Sequence, residues 1–305
     1  MEPRMQLFYA DHFVLPLPPG HRFPMEKYSR LREQLVAGGE FNPADFCVPD
    51  GADDTALLRA HSADYLQRVI TGELSDAEQR RIGFPWTPEM VERSRRSAGA
   101  TLAACRSALE HGCAANMAGG THHAHRDFGS GFCVFNDAAV AALAMRAEGR
   151  VRRVAIIDCD VHQGDGTAAI LANTPDVFTL SLHGDKNFPF RKTVSDRDIA
   201  LPDGTGDADY LAALAPALDE VLTHFRPELV IYLAGADPHE GDRLGRLSLT
   251  FDGLAQRDAM VLRACRDQRI PVAIAMAGGY GHDINDTVAI HATTLRTAAR
   301  LFRST

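Results

Sequence analysis

The chain has 305 residues, of which 45% are hydrophobic and 24% are charged, a balance typical of a folded globular protein. Its net charge of −8 and the lack of a basic stripe argue against direct binding of nucleic acid, because such binding concentrates lysine and arginine against phosphates. The six cysteines form no CxxC pair, and no run approaches the ~18 apolar residues of a membrane span.

Residues 1–8 lack the apolar core of a secretory signal peptide. Together with cysteines that fit reduced thiols, this predicts a cytoplasmic protein. The length allows one large α/β domain or two smaller ones. Because no boundary is visible, we expect a single catalytic domain over residues 1–305.

Apolar runs typical of buried strands alternate with amphipathic stretches typical of helices. The strands are predicted at residues 5–9, 114–117, 154–158, 177–182, 229–234 and 272–276. The helices are predicted at residues 88–110, 136–148, 207–224, 250–268 and 284–302. This alternation indicates the α/β class, with an open parallel sheet covered by helices on both faces. The first 95 residues show no clear pattern.

Polar and titratable residues follow four of the predicted strands. In chain order they are His122 and His123, then Asp158, then Asp237 and Asp242, and finally Tyr280. In open α/β sheets, ligands bind beyond the carboxyl ends of the strands. The sequence therefore predicts that four loops converge on one edge of the sheet.

A run of alternating donors follows the strand at 154–158. Asp158, Asp160 and His162 are spaced two apart, so an extended chain would aim them to one side. Charged groups at the end of a buried strand are costly unless they are paired or bind a metal. Asp160 and His162 could hold a divalent ion, and we predict Asp242 as the third donor. Two carboxylates and an imidazole leave positions open for water and substrate.

The adjacent histidines are candidates for proton transfer. One of His122 and His123 could be a general base, and the other a general acid or an electrostatic partner. Each would need a carboxylate on its second ring nitrogen, and Asp158 and Asp165 are available. Tyr280, which follows two glycines, could donate a hydrogen bond to a developing oxyanion.

These residues resemble the zinc-dependent histone deacetylases and the bacterial histone-deacetylase-like amidohydrolases. Six ordered motifs carry the resemblance: Gly119-Gly120-Thr121-His122-His123-Ala124, Gly131-Phe132-Cys133-Val134-Phe135-Asn136-Asp137, Asp158-Cys159-Asp160-Val161-His162-Gln163-Gly164-Asp165-Gly166, Ser181-Leu182-His183, Gly241-Asp242-Arg243-Leu244-Gly245 and Gly278-Gly279-Tyr280. Many members have a second histidine at Gln163 and a third glycine at Ala277. These departures are closer to class IV members and their bacterial relatives, some of which remove long fatty acyl groups.

The resemblance implies the arginase–deacetylase fold and a specific set of catalytic roles. It implies zinc held by Asp160, His162 and Asp242, although iron(II) could fit the same donors. It pairs His122 with Asp158 and His123 with Asp165. His123 then acts as the general base and later proton donor, His122 as its electrostatic partner, and Tyr280 polarises the substrate carbonyl.

The resemblance also implies a substrate tunnel and a second ion. Gly131 and Phe132 match positions that line the acyl-lysine tunnel, and Phe188 or Phe190 is expected to form the opposite aromatic wall. A structural potassium ion is implied behind the zinc. The residues that match its site, partly through backbone carbonyls, are Asp158, Asp160, His162, Ser181 and Leu182.

The expected function is a zinc-dependent amidohydrolase that removes acetyl or longer fatty acyl groups from N-acyl-lysine. Three alternatives stay open at this point. An acylpolyamine amidohydrolase would want acidic residues at its mouth. An arginase-like two-metal ureohydrolase would use Asp237 in a second site. A silent acyl-lysine binding module would have lost a catalytic residue. Acyl length, the amine partner, the native metal and the oligomeric state are left open.

Overall fold

The computed structural model describes residues 5–302. Within that range the strands are β1 (Gln6–Phe8), β2 (Phe46–Cys47), β3 (Cys113–Asn116), β4 (Val154–Asp158), β5 (Val177–Gly184), β6 (Arg197–Leu201), β7 (Leu229–Leu233) and β8 (Val272–Ala275). The helices are α1 (Glu26–Ala37), α2 (Asp54–Leu57), α3 (Ala63–Thr71), α4 (Asp76–Ile82), α5 (Pro88–His111), α6 (Asp137–Ala147), α7 (Asp165–Leu171), α8 (Asp207–Asp219), α9 (Phe251–Asp267) and α10 (Ile284–Phe302). A 3₁₀ turn (Pro43–Asp45) precedes β2, and a π-helical segment (Glu220–Phe225) extends α8.

The strands form one sheet in the order β2-β1-β3-β8-β7-β4-β5-β6, and every neighbouring pair is parallel. Parallel strands need crossover connections, and helices supply most of them. The prediction of an open parallel sheet with helices on both faces is confirmed.

Two apolar layers lie on opposite faces of the sheet. Along β4, Val154 and Ile156 pack on one face, while Ala155 and Ile157 pack on the other. Both layers are buried because α1, α8, α9 and α10 cover one face, whereas α3, α5, α6 and α7 cover the other. A strand buried on both sides reads as a continuous apolar run, which is why β4 stands out in the sequence.

The sequence did not predict helices α1, α2, α3, α4 and α7 or strands β2 and β6. Strand β6 is polar and largely exposed because it ends the sheet, so it lacks a buried run. Strand β2 has two residues at the opposite edge. The predicted helix at 207–224 changes to π-helical geometry after Asp219.

The predicted single domain includes residues 1–4 and 303–305, which lie outside the described residues, so its full extent stays a prediction. The same applies to the first half of the N-terminal segment at 1–8. In residues 5–302, no helix combines the length and apolarity needed to cross a membrane. The six cysteines are free thiols, and only Cys47 is partly exposed.

Candidate active site

The four central strands bring the predicted loops together. In the sheet order β3-β8-β7-β4, the carboxyl ends lead to His122 and His123, to Tyr280, to Asp237 and to Asp160, respectively. Five of the side chains predicted as catalytic or zinc-binding line one cavity: His122, His123, Asp160, His162 and Tyr280. Asp158, Asp165 and Asp242 lie behind them and accept hydrogen bonds from His122, His123 and the Tyr280 amide, respectively.

The segment after β4 forms a turn that is stabilised by its own carboxylates. The Asp160 amide donates to Asp158 Oδ1 at 3.1 Å, and the His162 amide donates to Asp160 Oδ1 at 2.9 Å. Gly164 then passes so close to Asp158 that a Cβ at this position would lie 2.5 Å from Asp158 Oδ2. The glycine is needed here for close approach rather than for flexibility.

Three buried donors converge beyond β4 and β7. The donor atoms of Asp160, His162 and Asp237 all lie within 4.8 Å of one another. His162 Nδ1 lies 3.0 Å from Asp160 Oδ1 and 3.2 Å from Asp237 Oδ2. Within residues 5–302, Asp237 Oδ2 accepts no hydrogen bond of good geometry, its 3.2 Å contact with His162 included, although the other oxygen accepts from the Val161 amide at 2.9 Å. A buried carboxylate oxygen without a partner is costly, and a cation would satisfy it.

The electrostatics of this group favour a divalent ion. Burial and the nearby charge of Asp160 raise the pKa of Asp237 to about 7. Two carboxylates in one buried space repel each other, and a cation between them removes that repulsion. Two carboxylates and one imidazole are also a donor set that suits zinc with open positions. The residues present therefore fit the expected metal.

The structure replaces the predicted third donor. Asp242 does not belong to the converging group of Asp160, His162 and Asp237. Its two oxygens accept hydrogen bonds from backbone amides instead of facing that group. Oδ1 accepts from Leu244 at 2.8 Å and from Gly245 at 2.9 Å, while Oδ2 accepts from the Tyr280 amide at 2.6 Å. Asp242 therefore holds the loop that carries Tyr280, and Asp237 takes the place expected of it.

Each of the adjacent histidines is paired with a carboxylate. His122 Nδ1 donates to Asp158 Oδ2 at 2.7 Å, and His123 Nδ1 donates to Asp165 Oδ1 at 2.6 Å. These are the pairings expected from the resemblance. His125 adds a second ring to Asp165, at 3.0 Å from Oδ2. Both Nε2 atoms of the pair are thereby left for chemistry in the cavity.

The two rings differ in pKa although their centres are only 4.1 Å apart. Burial alone lowers the pKa of His122, but Asp158 and Asp160 outweigh it and raise that pKa to about 9. Burial and the charge of His122 lower the pKa of His123 to about 4. The lower pKa favours His123 over His122 as the ring that can accept a proton.

The loop that carries the histidines is fastened by the start of α6. The buried Asp137 carboxylate accepts from the amides of Gly120 and Thr121, both at 2.8 Å. Asn136 donates to the carbonyl oxygens of His122 at 3.2 Å and Ala124 at 3.0 Å. Since α6 is packed on the sheet, these bonds fix the histidine backbone against a rigid element.

A buried lysine donates hydrogen bonds to the loop that carries Tyr280. Lys27, on α1, is 2% exposed and donates to the carbonyl oxygens of Ala277 and Gly279. Ala277 has a φ of +54°, which is unfavourable for a residue with a side chain. Arg243 Nε donates to the Tyr280 carbonyl at 2.8 Å. The backbone on both sides of the phenol is therefore constrained.

A second buried cation lies beneath the donor loops. Arg257, on α9, is fully buried and donates to the carbonyl oxygens of Cys159 at 3.2 Å and Gly235 at 2.7 Å. Its charge is balanced by Asp258, with an N–O distance of 2.8 Å. One guanidinium thus ties the segment after β4 to the segment after β7, which carry the metal donors.

Two connected cavities meet at these residues. An inner cavity of about 70 Å³ and an outer cavity of about 610 Å³ share the lining residues His123, Gly131, Phe132, His162 and Tyr280. The shared residues mark a passage from the surface to the donor group.

The aromatic candidates lie at different depths of the outer cavity. Phe188 packs edge-on against His123, with ring centres 4.9 Å apart, and faces the passage that Phe132 lines. Phe190 is 85% exposed at the entrance. Of the two, Phe188 is therefore placed as the opposite wall.

The residues expected to hold potassium also lie side by side. Asp158 pairs with Ser181 in the register of β4 and β5, and Leu182 follows Ser181 on β5. The Ser181 hydroxyl lies 2.9 Å from His183 Nδ1. The potassium site itself stays a prediction.

Residues 21–295 match the family described as the histone deacetylase domain. An uncharacterised protein of Picosynechococcus sp. is 43% identical over 294 residues, which cover 96% of this chain and 98% of that protein. Histone deacetylase 2 of Arabidopsis thaliana is 33% identical over 273 residues, covering 85% of this chain and 70% of that protein. The histone deacetylase-like amidohydrolase of Pseudomonas aeruginosa is 33% identical over 283 residues, covering 87% and 74%.

One solved structure supports the fold independently. The crystal structure of the HDA15 HD domain matches with a TM-score of 0.80 at 22% identity, covering 98% of this chain and 88% of that chain. At this level of identity the match concerns the fold, which is the arginase–deacetylase arrangement expected from the sequence.

Proposed function

The chain belongs to the histone deacetylase family, and we propose that it is a zinc-dependent amidohydrolase that removes an acyl group from N-acyl-lysine. One observation carries the proposal. His123, Tyr280 and the donor His162 line both cavities, Asp160 lines the inner one, and Asp237 lies within 4.8 Å of these two donors. Amide hydrolysis needs a proton acceptor, an oxyanion donor and a metal within reach of one carbonyl.

We assign the metal to Asp160, His162 and Asp237. When bound there, zinc would polarise the amide carbonyl and lower the pKa of the attacking water. Iron(II) suits the same donors, so metal analysis of the purified protein decides the native ion. The proposed structural potassium near Asp158 and Ser181 is a separate prediction.

The chain's own residues supply the proton transfers. His123 Nε2 would accept the proton of the attacking water, since Nδ1 is bound to Asp165 and the ring is neutral. The same nitrogen would then donate that proton to the leaving amine, which completes the cleavage of the C–N bond. The positive charge of His122 would stabilise the negative charge that develops nearby.

Tyr280 would hold the carbonyl oxygen from the other side. Its hydroxyl would donate a hydrogen bond that strengthens as the oxygen becomes an oxyanion. Burial raises the pKa of Tyr280 well above its usual value, so the phenol keeps its proton at neutral pH. Phe132 and Phe188 would enclose the acyl-lysine stem and exclude water from the reacting carbon.

The alternative functions are less well supported. The outer cavity is lined by cations and by no carboxylate of the described residues, the opposite of what a polyamine would require. Within residues 5–302, one group of three or more donors is close enough to hold a metal, which disfavours a two-metal ureohydrolase. The binding-module alternative would predict the loss of His123 or Tyr280, and both line the passage.

The test is hydrolysis of one peptide that carries acetyl-, octanoyl- or myristoyl-lysine, with acetylputrescine alongside. The zinc-loaded protein is compared with Tyr280→Phe, which should lose roughly 10²–10³ in kcat, the scale for one oxyanion donor. Turnover that collapses in the variant supports the deacylase and gives its chain-length preference. Turnover of acetylputrescine alone would reassign the substrate, and unchanged turnover in the variant would refute the role of Tyr280.

A further inference from the structure

The entrance of the outer cavity concentrates positive charge. Six cationic side chains line it, here called the rim cations: Arg22, Arg80, Arg81, Lys186, Arg243 and Arg246. They come from separate parts of the chain, namely the segment before α1, the end of α4, the loop after β5 and the loop after β7. No aspartate or glutamate of the described residues lines this cavity.

Most of this charge is not neutralised by the protein. Lys186 and Arg246 share one carboxylate, Asp203, at 3.8 Å and 3.2 Å. None of the ion pairs in residues 5–302 includes Arg22, Arg80 or Arg81, all of which are exposed. The rim cations therefore present a net positive field toward solvent.

This local positive charge contrasts with the chain as a whole, whose net charge is −8. A cleft lined by one sign of charge raises the local concentration of oppositely charged ligands and speeds their encounter. Any substrate that enters the passage must first cross the rim. The rim cations would therefore favour substrates with negatively charged groups next to the acylated amine. This preference is separate from the chemistry at the carbonyl.

We propose that the outer cavity receives an acidic polypeptide segment, whose acylated lysine enters between Phe132 and Phe188. The inference rests on the proposed function, and it specifies that the residues flanking the acyl-lysine are acidic. Aspartate and glutamate side chains near the acyl-lysine would pair with the rim cations.

A polypeptide fits this entrance better than a nucleic acid. Phe190 is 85% exposed beside Lys186, and it contacts Phe188 edge-on with ring centres 6.2 Å apart. This apolar surface can pack against side chains next to the lysine. Nucleic-acid surfaces usually continue as a basic stripe to follow the phosphates, whereas the chain as a whole is acidic.

The experiment uses three peptides of equal length with the same acyl-lysine and with acidic, neutral or basic flanks. The full zinc-loaded protein should show kcat/KM in the order acidic, neutral, basic, with about tenfold between the extremes at low salt. The gap should shrink as salt rises, because screening weakens exposed charges. Binding of the same peptides is measured in parallel by fluorescence anisotropy.

Charge reversal at the rim provides the matched comparison. The double variant Arg80→Glu/Arg81→Glu should remove most of the preference for the acidic peptide, because it leaves the rim close to neutral, and Lys186→Glu, on a different loop, should weaken the same preference. Arg263→Glu changes the net charge by the same amount as Lys186→Glu, but at an exposed position of α9 that does not line the cavity, so it should keep the wild-type order. Thermal unfolding of each variant checks its fold.

The outcomes separate this inference from the proposed function. Equal kcat/KM and equal binding for the three peptides would overturn the acidic-segment inference while leaving the deacylase intact. An acidic preference in binding without any turnover would support the inference about the rim and reject the proposed activity. Stronger competition by single-stranded DNA than by an unacylated acidic peptide would overturn the polypeptide in favour of a nucleic acid.

Discussion

The ammonium nitrogen of Lys27 lies 5.3 Å from the centre of the Tyr280 ring and 3.3 Å from two carbonyl oxygens of the loop that carries this tyrosine. Within residues 5–302, no carboxylate lies within ion-pair distance of this lysine. Backbone carbonyls and aromatic faces therefore compensate its buried charge. The arrangement indicates that Lys27 positions Tyr280.

Replacing Lys27 by methionine should lower kcat by up to about 10²-fold with little change in KM, because small displacements of a catalytic group are this costly. Lys27→Arg keeps the charge and the donors, so it should recover much of the activity. Steady-state kinetics and zinc content are measured together for both variants. Equal impairment of the two variants would point to packing rather than to the donated hydrogen bonds.

Variants of the two aspartates after β7, Asp237 and Asp242, should differ in how much metal they bind. Asp237→Asn should lose most of the bound zinc, since it removes the negative charge of one of the three donors. Asp242→Asn should retain zinc yet lose turnover, because its carboxylate holds the Tyr280 amide. Elemental analysis after dialysis decides the assignment, and stoichiometric zinc in the Asp237 variant would return the role of third donor to Asp242.

His61 should make the protein less stable as the pH falls. Burial lowers the pKa of His61 to about 4, while Nδ1 donates to the His125 carbonyl and Nε2 accepts from the Asn136 amide. The unfolded chain takes up a proton near pH 6.5, so stability is full above that pH and falls down to about pH 4. The loss amounts to about 3 kcal/mol at 1.4 kcal/mol per pKa unit.

The measurement is urea unfolding between pH 7.5 and pH 4.5 for wild type and His61→Gln. Other buried histidines contribute to the slope in both proteins, so the difference between them isolates His61. A smaller loss of stability in the variant is expected. Identical slopes would mean that His61 does not control the acid response.

The buried pair beneath the metal donors should behave as a unit. Arg257→Met leaves Asp258 uncompensated in the core and should cost about 3–5 kcal/mol of unfolding free energy. The double variant Arg257→Met/Asp258→Asn removes both charges and should recover a substantial part. Urea unfolding of the single and double variants tests this, and additive losses would show that the two charges are independent.

The sequence predicts the centre of the sheet well because burial dominates there. Strand β4 is buried on both faces and ends in Asp158, so its apolar run and its polar end are both visible in the sequence. Strand β6 (Arg197–Leu201) is missed because an edge strand buries few side chains. The histidine–aspartate pairings were implied by the family resemblance and not by strand order, because β3 and β4, which precede the partners, are separated in the sheet by β8 and β7.

The choice between Asp237 and Asp242 required the structure. Both follow β7, and the sequence does not say which of them converges with Asp160 and His162. The Tyr280 amide that donates to Asp242 is 38 residues away in the chain. Distance from the end of β7 is a better guide to the metal donor, because Asp237 is closer to the strand than Asp242. Lys27 gave no local signal, since its partners lie about 250 residues further along the chain.

The order of the central strands has a consequence for how the protein assembles. Strands β8 and β7 lie between β3 and β4 in the sheet, although both follow β4 in the chain. A chain divided in the turn at Gly204 would leave Asp160 and His162 on one fragment and Asp237 on the other. Neither piece could close the sheet around its own donors, so metal uptake would report the reunion of the two fragments rather than the folding of either.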